Sequence, residues 1–180
     1  MKAAAATAAP GQVREADEAD IKAILQIYNE AVTQTLGVFE ETPRTLEAQA
    51  EWFTQRTGAG YPVLVAEDSR RMVIGFGSFG PFRPHAGYAA TVEHSVYVLG
   101  RSQARGVGSR LLSRLMEIAR EQDRHVMVGA VDADNHASIA LHLRFGFGEV
   151  ARMPGVARKR GTWRTLVLLQ RRLNFDPSYD

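Results

Sequence analysis

The segment Gln103-Ala104-Arg105-Gly106-Val107-Gly108 carries the clearest chemistry in the sequence. It follows the apolar run Val96-Tyr97-Val98 after a short turn that starts at Leu99, and a helical pattern begins at its end. Backbone N–H groups in the first turn of a helix have no intrahelical partners, and the helix dipole adds partial positive charge there. A glycine-containing loop at such an end is an anion site of the kind that holds phosphates. Gly106 and Gly108 lack the Cβ that would keep the backbone away from phosphate oxygens. Arg101, Arg105 and Arg110 add positive charge nearby. The residues that follow exclude two other phosphate motifs. A Walker loop needs Gly-Lys-Ser/Thr, whereas Ser109-Arg110 follow Gly108. A dinucleotide fingerprint needs Gly or Ala three positions after the second glycine, where this chain has Leu111.

The strand ahead of the loop also bears a carboxylate. Alternation over residues 91–98 puts Thr91, Glu93, Ser95 and Tyr97 on one face and Val92, His94, Val96 and Val98 on the other. Further along, Asn135 stands just before a short helical stretch and is a natural N-cap for it.

These residues need elements to position them. Residues 18–32 read as a helix, with Asp17 as N-cap, Asp20 in the first turn, and Ile21, Ile24, Leu25 and Tyr28 at helical spacing. A second helix is expected over 45–56, with Leu46, Ala50 and Phe53 on one side. Strands are expected near Val13 and over 63–67, 73–79 and 91–98. The loop 80–87 is too rich in Gly and Pro to be regular. A helix over 108–121 carries a broad apolar stripe of Leu111, Leu112, Leu115, Met116 and Ala119. A strand over 126–131, a helix over 135–145 and closing strands over 147–153 and 164–171 complete the order. The fold class is mixed α/β, an antiparallel meander followed by a strand–helix–strand unit.

Gln103 to Gly108 is similar to the Gln/Arg-x-x-Gly-x-Gly/Ala motif of the GNAT superfamily of N-acetyltransferases. Thr91-Val92-Glu93-His94-Ser95-Val96-Tyr97-Val98 more closely resembles the phosphinothricin and methionine sulfoximine acetyltransferase family. So do Ile27-Tyr28-Asn29-Glu30-Ala31-Val32, Glu41-Thr42-Pro43, Asn135-His136-Ala137-Ser138 and Phe145-Gly146-Phe147. The resemblance spans about residues 13–170. It implies a twisted mixed sheet splayed between its fourth and fifth strands, with the pantetheine arm of acetyl-CoA lying in the splay like an added strand. It assigns the cofactor to Val96, Tyr97 and Val98 along the arm, to Gln103, Ala104, Arg105, Gly106, Val107, Gly108 and Ser109 at the pyrophosphate, and to Asn135 beside the pantetheine. The implied organisation is a disordered Ala-rich tail over 1–11, one N-acetyltransferase domain over 12–173 and a C-terminal tail over 174–180.

The resemblance also implies the chemistry. Acyl transfer needs a neutral amine, and Glu93 is the implied base. No protein nucleophile is required, and the chain has no cysteine to offer one. A backbone N–H at Val96 or Val98 would stabilise the oxyanion. His142 stands where many superfamily members have Tyr and where the resembling family also has His; it is read as a proton donor or substrate contact, or as a structural helix histidine. Phe39, Arg83, Pro84, His85, Glu93, His94 and Ser95 are assigned to the acceptor side, where Arg83 suits an α-carboxylate. The chain departs from the relatives at Phe82 and His85 (Trp-Arg-Pro-Phe in them) and at Thr165, where they carry Asp. Arg160 belongs to a run, Arg158-Lys159-Arg160, that is more basic than theirs. That run reads as solvated, or as favouring an acidic acceptor.

Composition limits the alternatives. With 22 basic and 20 acidic side chains in 180 residues, the net charge of +2 gives no reason to expect nucleic-acid or membrane binding. The absence of cysteine excludes disulfides and Cys-ligated zinc. His85, His94, His125, His136 and His142 lack a clear metal-ligand spacing, so no metal is expected. The leading expectation is a cytoplasmic, homodimeric enzyme that acetylates the α-amine of a small amino acid or analogue. A peptide or protein N-acetyltransferase and a non-catalytic acyl-CoA sensor are the alternatives.

Overall fold

A seven-stranded sheet in the order β1-β2-β3-β4-β5-β7-β6 organises the chain. The structure, a computed structural model, describes residues 10–174. The strands are β1 (Pro10–Glu15), β2 (Val63–Asp68), β3 (Val73–Pro81), β4 (Thr91–Val98), β5 (Val126–Asp132), β6 (Gly148–Lys159) and β7 (Thr162–Arg172). The helices are α1 (Ile21–Gln34), α2 (Leu46–Gly58), α3 (Val107–Glu121) and α4 (His136–Arg144). The two expected tails lie outside the described residues, except that Pro10 and Gly11 open β1 and Asn174 follows β7.

Strands β1 to β4 form the expected antiparallel meander. α3 then carries the chain across to β5, which lies parallel to β4. Asp17 caps the first turn as expected, accepting from the Ala19 N–H at 2.8 Å. That turn is 3₁₀, so α1 proper starts at Ile21. β6 runs past Met153 to Lys159, beyond the strand expected from the sequence. Pro154-Gly155 does not end it, because the register shifts between Met153 and Ala157 and Gly155 takes φ +65°. β6 is the outermost strand, where a proline costs no essential ladder bond.

The two faces of the sheet are covered differently. Tyr28 of α1 meets Tyr97 edge-on at 5.5 Å, and Trp52 of α2 meets Phe76 at 6.3 Å. α1 and α2 therefore cover the Tyr97 face. On the other face, a Cβ at Gly75 would stand 3.0 Å from Val107 of α3, and one at Gly77 would stand 3.1 Å from Leu115. These glycines let α3 lie close to the sheet, and its stripe of Leu111, Leu112, Leu115, Met116 and Ala119 is buried there.

The sheet opens where the chemistry is expected. β4 pairs with β5 from Thr91 to His94, opposite Val126 to Gly129. Beyond His94, β4 stays on β3 as far as Val98, while β5 continues to Asp132 on β7. The two strands diverge into a wedge. Alternate backbone groups of residues 95–98 face it without a sheet partner, as a strand edge does.

Candidate active site

The loop from β4 to α3 ends in the wedge. Ala104 and Gly106 both take left-handed conformations, with φ +59° and +75°. Alternation of this kind turns successive N–H groups towards one concavity. Gly106 caps α3 without any side-chain hydrogen bond, so the first N–H groups of the helix stay available. No atom lies within 4 Å of where a Gly106 Cβ would be, so its backbone conformation is what requires glycine. Gly108 also packs against its neighbours. A Cβ there would touch Leu141, Val96 and Val98 at 3.4–4.0 Å, which places it on the floor where α3, α4 and β4 meet.

The surrounding cations are partly rearranged. Arg101 and Arg105 are exposed. Arg110 turns away from the loop and donates to the Gly11 carbonyl in β1. Arg144, which sequence reasoning missed, reaches Ser109 Oγ from α4 at 3.4 Å. Gln103 donates to the Val98 carbonyl at 3.4 Å. Val96, Tyr97 and Val98 line β4 along the wedge, and Val107 is buried beneath the loop.

Asn135 caps α4, accepting from the Ser138 N–H at 3.1 Å, and its side chain stays exposed. The turn before it is held by a buried ion pair. Arg164 donates to both Asp132 oxygens at 2.7 and 2.6 Å and to Asp134 at 2.9 Å. Nothing in the spacing of these residues announces the pair, because Arg164 lies on β7 and Asp132 ends β5.

His94 and His142 meet on the α3/α4 face. Their Nε2 atoms are 3.0 Å apart, and His142 Nδ1 lies 2.7 Å from the Ser138 carbonyl. A carbonyl only accepts, so Nδ1 carries the His142 proton. His142 Nε2 then accepts from His94 Nε2–H, and His94 Nδ1 is left as a buried acceptor without a hydrogen bond in the structure. Burial, with His142 beside it, lowers the His94 pKa to about 3. Burial also lowers that of His142. Both rings are neutral at ordinary pH, and His142 presents no free proton. His94 lies on the opposite face of β4 from Glu93, as alternation predicts, and His85 is exposed in the β3–β4 loop.

The ring pair also explains a glycine. A Cβ at Gly129 would lie 2.5 Å from His142 Nε2 and 3.1 Å from His94 Nε2. Gly129→Ala should lower stability by about 1–3 kcal/mol, by the cost of overpacking. A denaturant midpoint equal to that of the parent protein would contradict this reading.

Glu93 occupies the α1/α2 face, half-buried. Burial raises its pKa, and Arg83 and then Arg56 oppose that rise. Arg83 lies in the exposed β3–β4 loop with Pro84, its guanidinium 4.2 Å from the Phe82 ring, which meets Tyr88 at 5.9 Å. Ser95 and Tyr97 share the face of Glu93, and burial, with Tyr28 beside it, pushes the Tyr97 phenol up to about 12. Arg44 and Arg56 were not foreseen. Arg44 stacks 3.8 Å over Tyr28, and Arg56 lies 5.5 Å from the Trp52 ring centroid.

Phe39 sits half-buried in the segment between α1 and α2. That segment is anchored by Lys159 and Arg160; within the basic run read as solvated, Arg158 and Arg160 are exposed but Lys159 is buried. Lys159 is 1% exposed and donates to the Val32 carbonyl at 2.9 Å and to that of Glu40. Arg160 reaches the Thr33 carbonyl, and its N–H meets Glu41 at 2.8 Å. The carbonyls at the end of α1 favour cations, which offsets part of the cost of burying the lysine. Burial, with Arg160 next to it, lowers the Lys159 pKa.

A strand edge opening beside an uncapped helix start is the arrangement that holds a nucleotide-linked, amide-bearing arm. The acetyltransferase (GNAT) family model matches residues 22–147, from α1 through the cradle to the end of α4. The chain belongs to the GNAT family. A Pseudomonas aeruginosa L-methionine sulfoximine/L-methionine sulfone acetyltransferase is 46% identical over 92% of this chain and 95% of its own. A GNAT superfamily phosphinothricin acetyltransferase from Sinorhizobium meliloti, solved in complex with acetyl-CoA, superposes with a TM-score of 0.90 at 32% identity over 94% of this chain and 91% of its own. A ribosomal-protein-alanine N-acetyltransferase from Brucella melitensis gives 0.87 at 43% identity over 89% and 99%.

The GNAT frame gives the wedge its meaning, because acetyl-CoA is the family's acyl donor and the cradle fits it. Left-handed Ala104 and Gly106 and the uncapped α3 N-terminus suit a pyrophosphate, and the unpaired edge of residues 95–98 suits an amide-bearing arm. Among the described residues no group of three or more His, Asp or Glu side chains could hold a metal ion. No described helix is long and apolar enough to cross a membrane.

Proposed function

We propose that the protein moves acetyl from acetyl-CoA to the α-amine of a small amino acid or analogue of the methionine sulfoximine, methionine sulfone or phosphinothricin type. The observation that carries this reading is the position of Glu93. It shares β4 with the unpaired edge of residues 95–98 and stands just where β4 and β5 begin to part.

Acetyl-CoA supplies the activated acyl group. Ala104 to Ser109 bind its pyrophosphate, and residues 96–98 with Asn135 align its arm. Glu93 accepts the proton that the acceptor ammonium must lose before its nitrogen can attack. A wedge-facing N–H of residues 95–98 donates to the acyl oxygen. His142 holds the His94 ring and does not act as the acid. On the acceptor side Arg83, with Phe82 and Tyr88 around it, meets the α-carboxylate, while Ser95 and Phe39 border the pocket.

The relatives' names support small amino-acid acceptors, and the Brucella likeness supplies the rival, a protein N-terminus. Release of free CoA thiol, measured with methionine sulfone, methionine sulfoximine, phosphinothricin and an Ala-terminated peptide, separates them. The expected order puts the amino acids at least tenfold ahead in kcat/KM. A preference for the peptide would reject the substrate assignment.

We place the enzyme in the cytoplasm, where its acyl donor is made, and as a homodimer. Val150, Met153 and Val156 of β6 and Trp163 of β7 stand 57%, 41%, 46% and 65% exposed on the outer hairpin, an apolar surface suited to a second copy. Sedimentation of active protein should give twice the chain mass, and a monomer would reject the dimer.

A further inference from the structure

No motif or spacing in the chain assigns Arg56 the place it occupies. Gly80 on β3 lies directly opposite Glu93 on β4. Cross-strand neighbours in an antiparallel pair point to the same face, with Cβ atoms about 5 Å apart. A Cβ on Gly80 would stand 1.3 Å from Arg56 Nη1. The guanidinium from α2 therefore fills the position that a side chain at 80 would take, beside the carboxylate of Glu93. Trp52 and Tyr61 hold it in place, at 5.5 and 6.0 Å from their ring centroids. Among the described residues Arg56 makes no ion pair. Arg83, on the β3–β4 loop, favours the charged form of the same carboxylate.

Two guanidinium groups around one carboxylate leave local positive charge uncompensated. An acceptor that offers only an amine would add to it. An α-amino acid supplies an ammonium for Glu93 and, two bonds away from the nitrogen, a carboxylate for the cations. We infer that Arg56 and Arg83 form a two-armed clamp for the acceptor's α-carboxylate, with Arg56 setting the preference for free amino acids over blocked ones. This rests on the acetyltransferase reading above and assigns a specificity residue within it.

The test compares methionine sulfone with its α-carboxamide, at a pH well above the titration of Glu93. Arg56→Gln should lower kcat/KM for the free acid by about 30-fold, mostly through KM, and for the carboxamide by less than about threefold. Gly80→Ala makes an independent second arm. Its methyl meets the far end of a flexible side chain, so it should displace the guanidinium and give the same selective loss without removing a charge. If Arg56→Gln fails to fold, the Gly80→Ala result decides alone. Equal losses with both acceptors, or no loss with either, overturn the clamp and leave the acetyltransferase reading standing. A parent enzyme that turns over neither acceptor overturns both.

Discussion

Glu93→Gln should lower kcat by roughly 10²- to 10⁴-fold while leaving the affinity for acetyl-CoA within about twofold. Glutamine keeps the size of the side chain and cannot take a proton. The cradle at Ala104 to Ser109 does not involve Glu93, so donor binding has no reason to change. Direct titration of acetyl-CoA by calorimetry, beside steady-state rates, separates the two effects. The pH profile gives a second check. Burial raises the Glu93 pKa, against Arg83 and Arg56. The active form is the carboxylate, so activity should fall as pH drops through a value above the usual ~4.3 of glutamate. That limb should be missing from the residual activity of Glu93→Gln. A variant with parent turnover would remove Glu93 from the chemistry.

Asp132→Ala should be the most damaging single change to the fold away from the apolar core. Arg164 is 8% exposed and Asp132 2%. Removing the carboxylate leaves a buried cation, which costs about 3 kcal/mol. The remaining partner, Asp134, is 73% exposed and cannot replace a two-oxygen contact. Asp134→Ala should cost under about 1 kcal/mol, as surface pairs do. Burial alone would raise the Asp132 carboxyl, but the hydrogen bonds from Arg164 and then from the Asp134 backbone hold it below the ordinary carboxylate value. The stabilisation is therefore complete above the unfolded pKa of about 3.9 and is lost as pH falls through the lower folded value. Urea melts of the two variants at neutral pH test the ranking; equal midpoints would contradict it. Because Asp132 also accepts from the Asp134 N–H at 2.8 Å, its loss should loosen the turn that presents Asn135.

Much of this arrangement was legible in the sequence for local reasons. The cradle announces itself because its glycines, its neighbours and the following helix are contiguous. The faces of β4 follow from alternation, which correctly separates Glu93 from His94. The antiparallel meander and the strand–helix–strand unit follow from the order of the elements, whereas the place of β7 between β5 and β6 depends on pairing between distant segments. Interactions between distant residues stayed hidden. His94 and His142 are both histidines in regular elements, and only the approach of α4 to β4 brings their rings together. Lys159 looks solvated in a basic run until the β6–β7 hairpin delivers it to the end of α1. Arg56 gives no local signal at all. Its place depends on Gly80, whose missing side chain matters only once α2 lies across β3. Pro154-Gly155 looks like a strand end because the bulge that absorbs it depends on pairing with β7.

The most direct test of the account follows the acetyl group itself. Acetyl-CoA labelled with ¹³C in the acetyl carbonyl is mixed with methionine sulfone and a slight excess of enzyme, and the carbonyl resonance is followed by NMR. The predicted result is conversion of the thioester signal to an amide on the α-nitrogen, with one free CoA thiol for each amide and no acetyl left on the protein. Tight binding of acetyl-CoA with an unchanged thioester signal, or transfer to a protein side chain, would contradict direct acetylation of a small amino acid at the β4–β5 wedge.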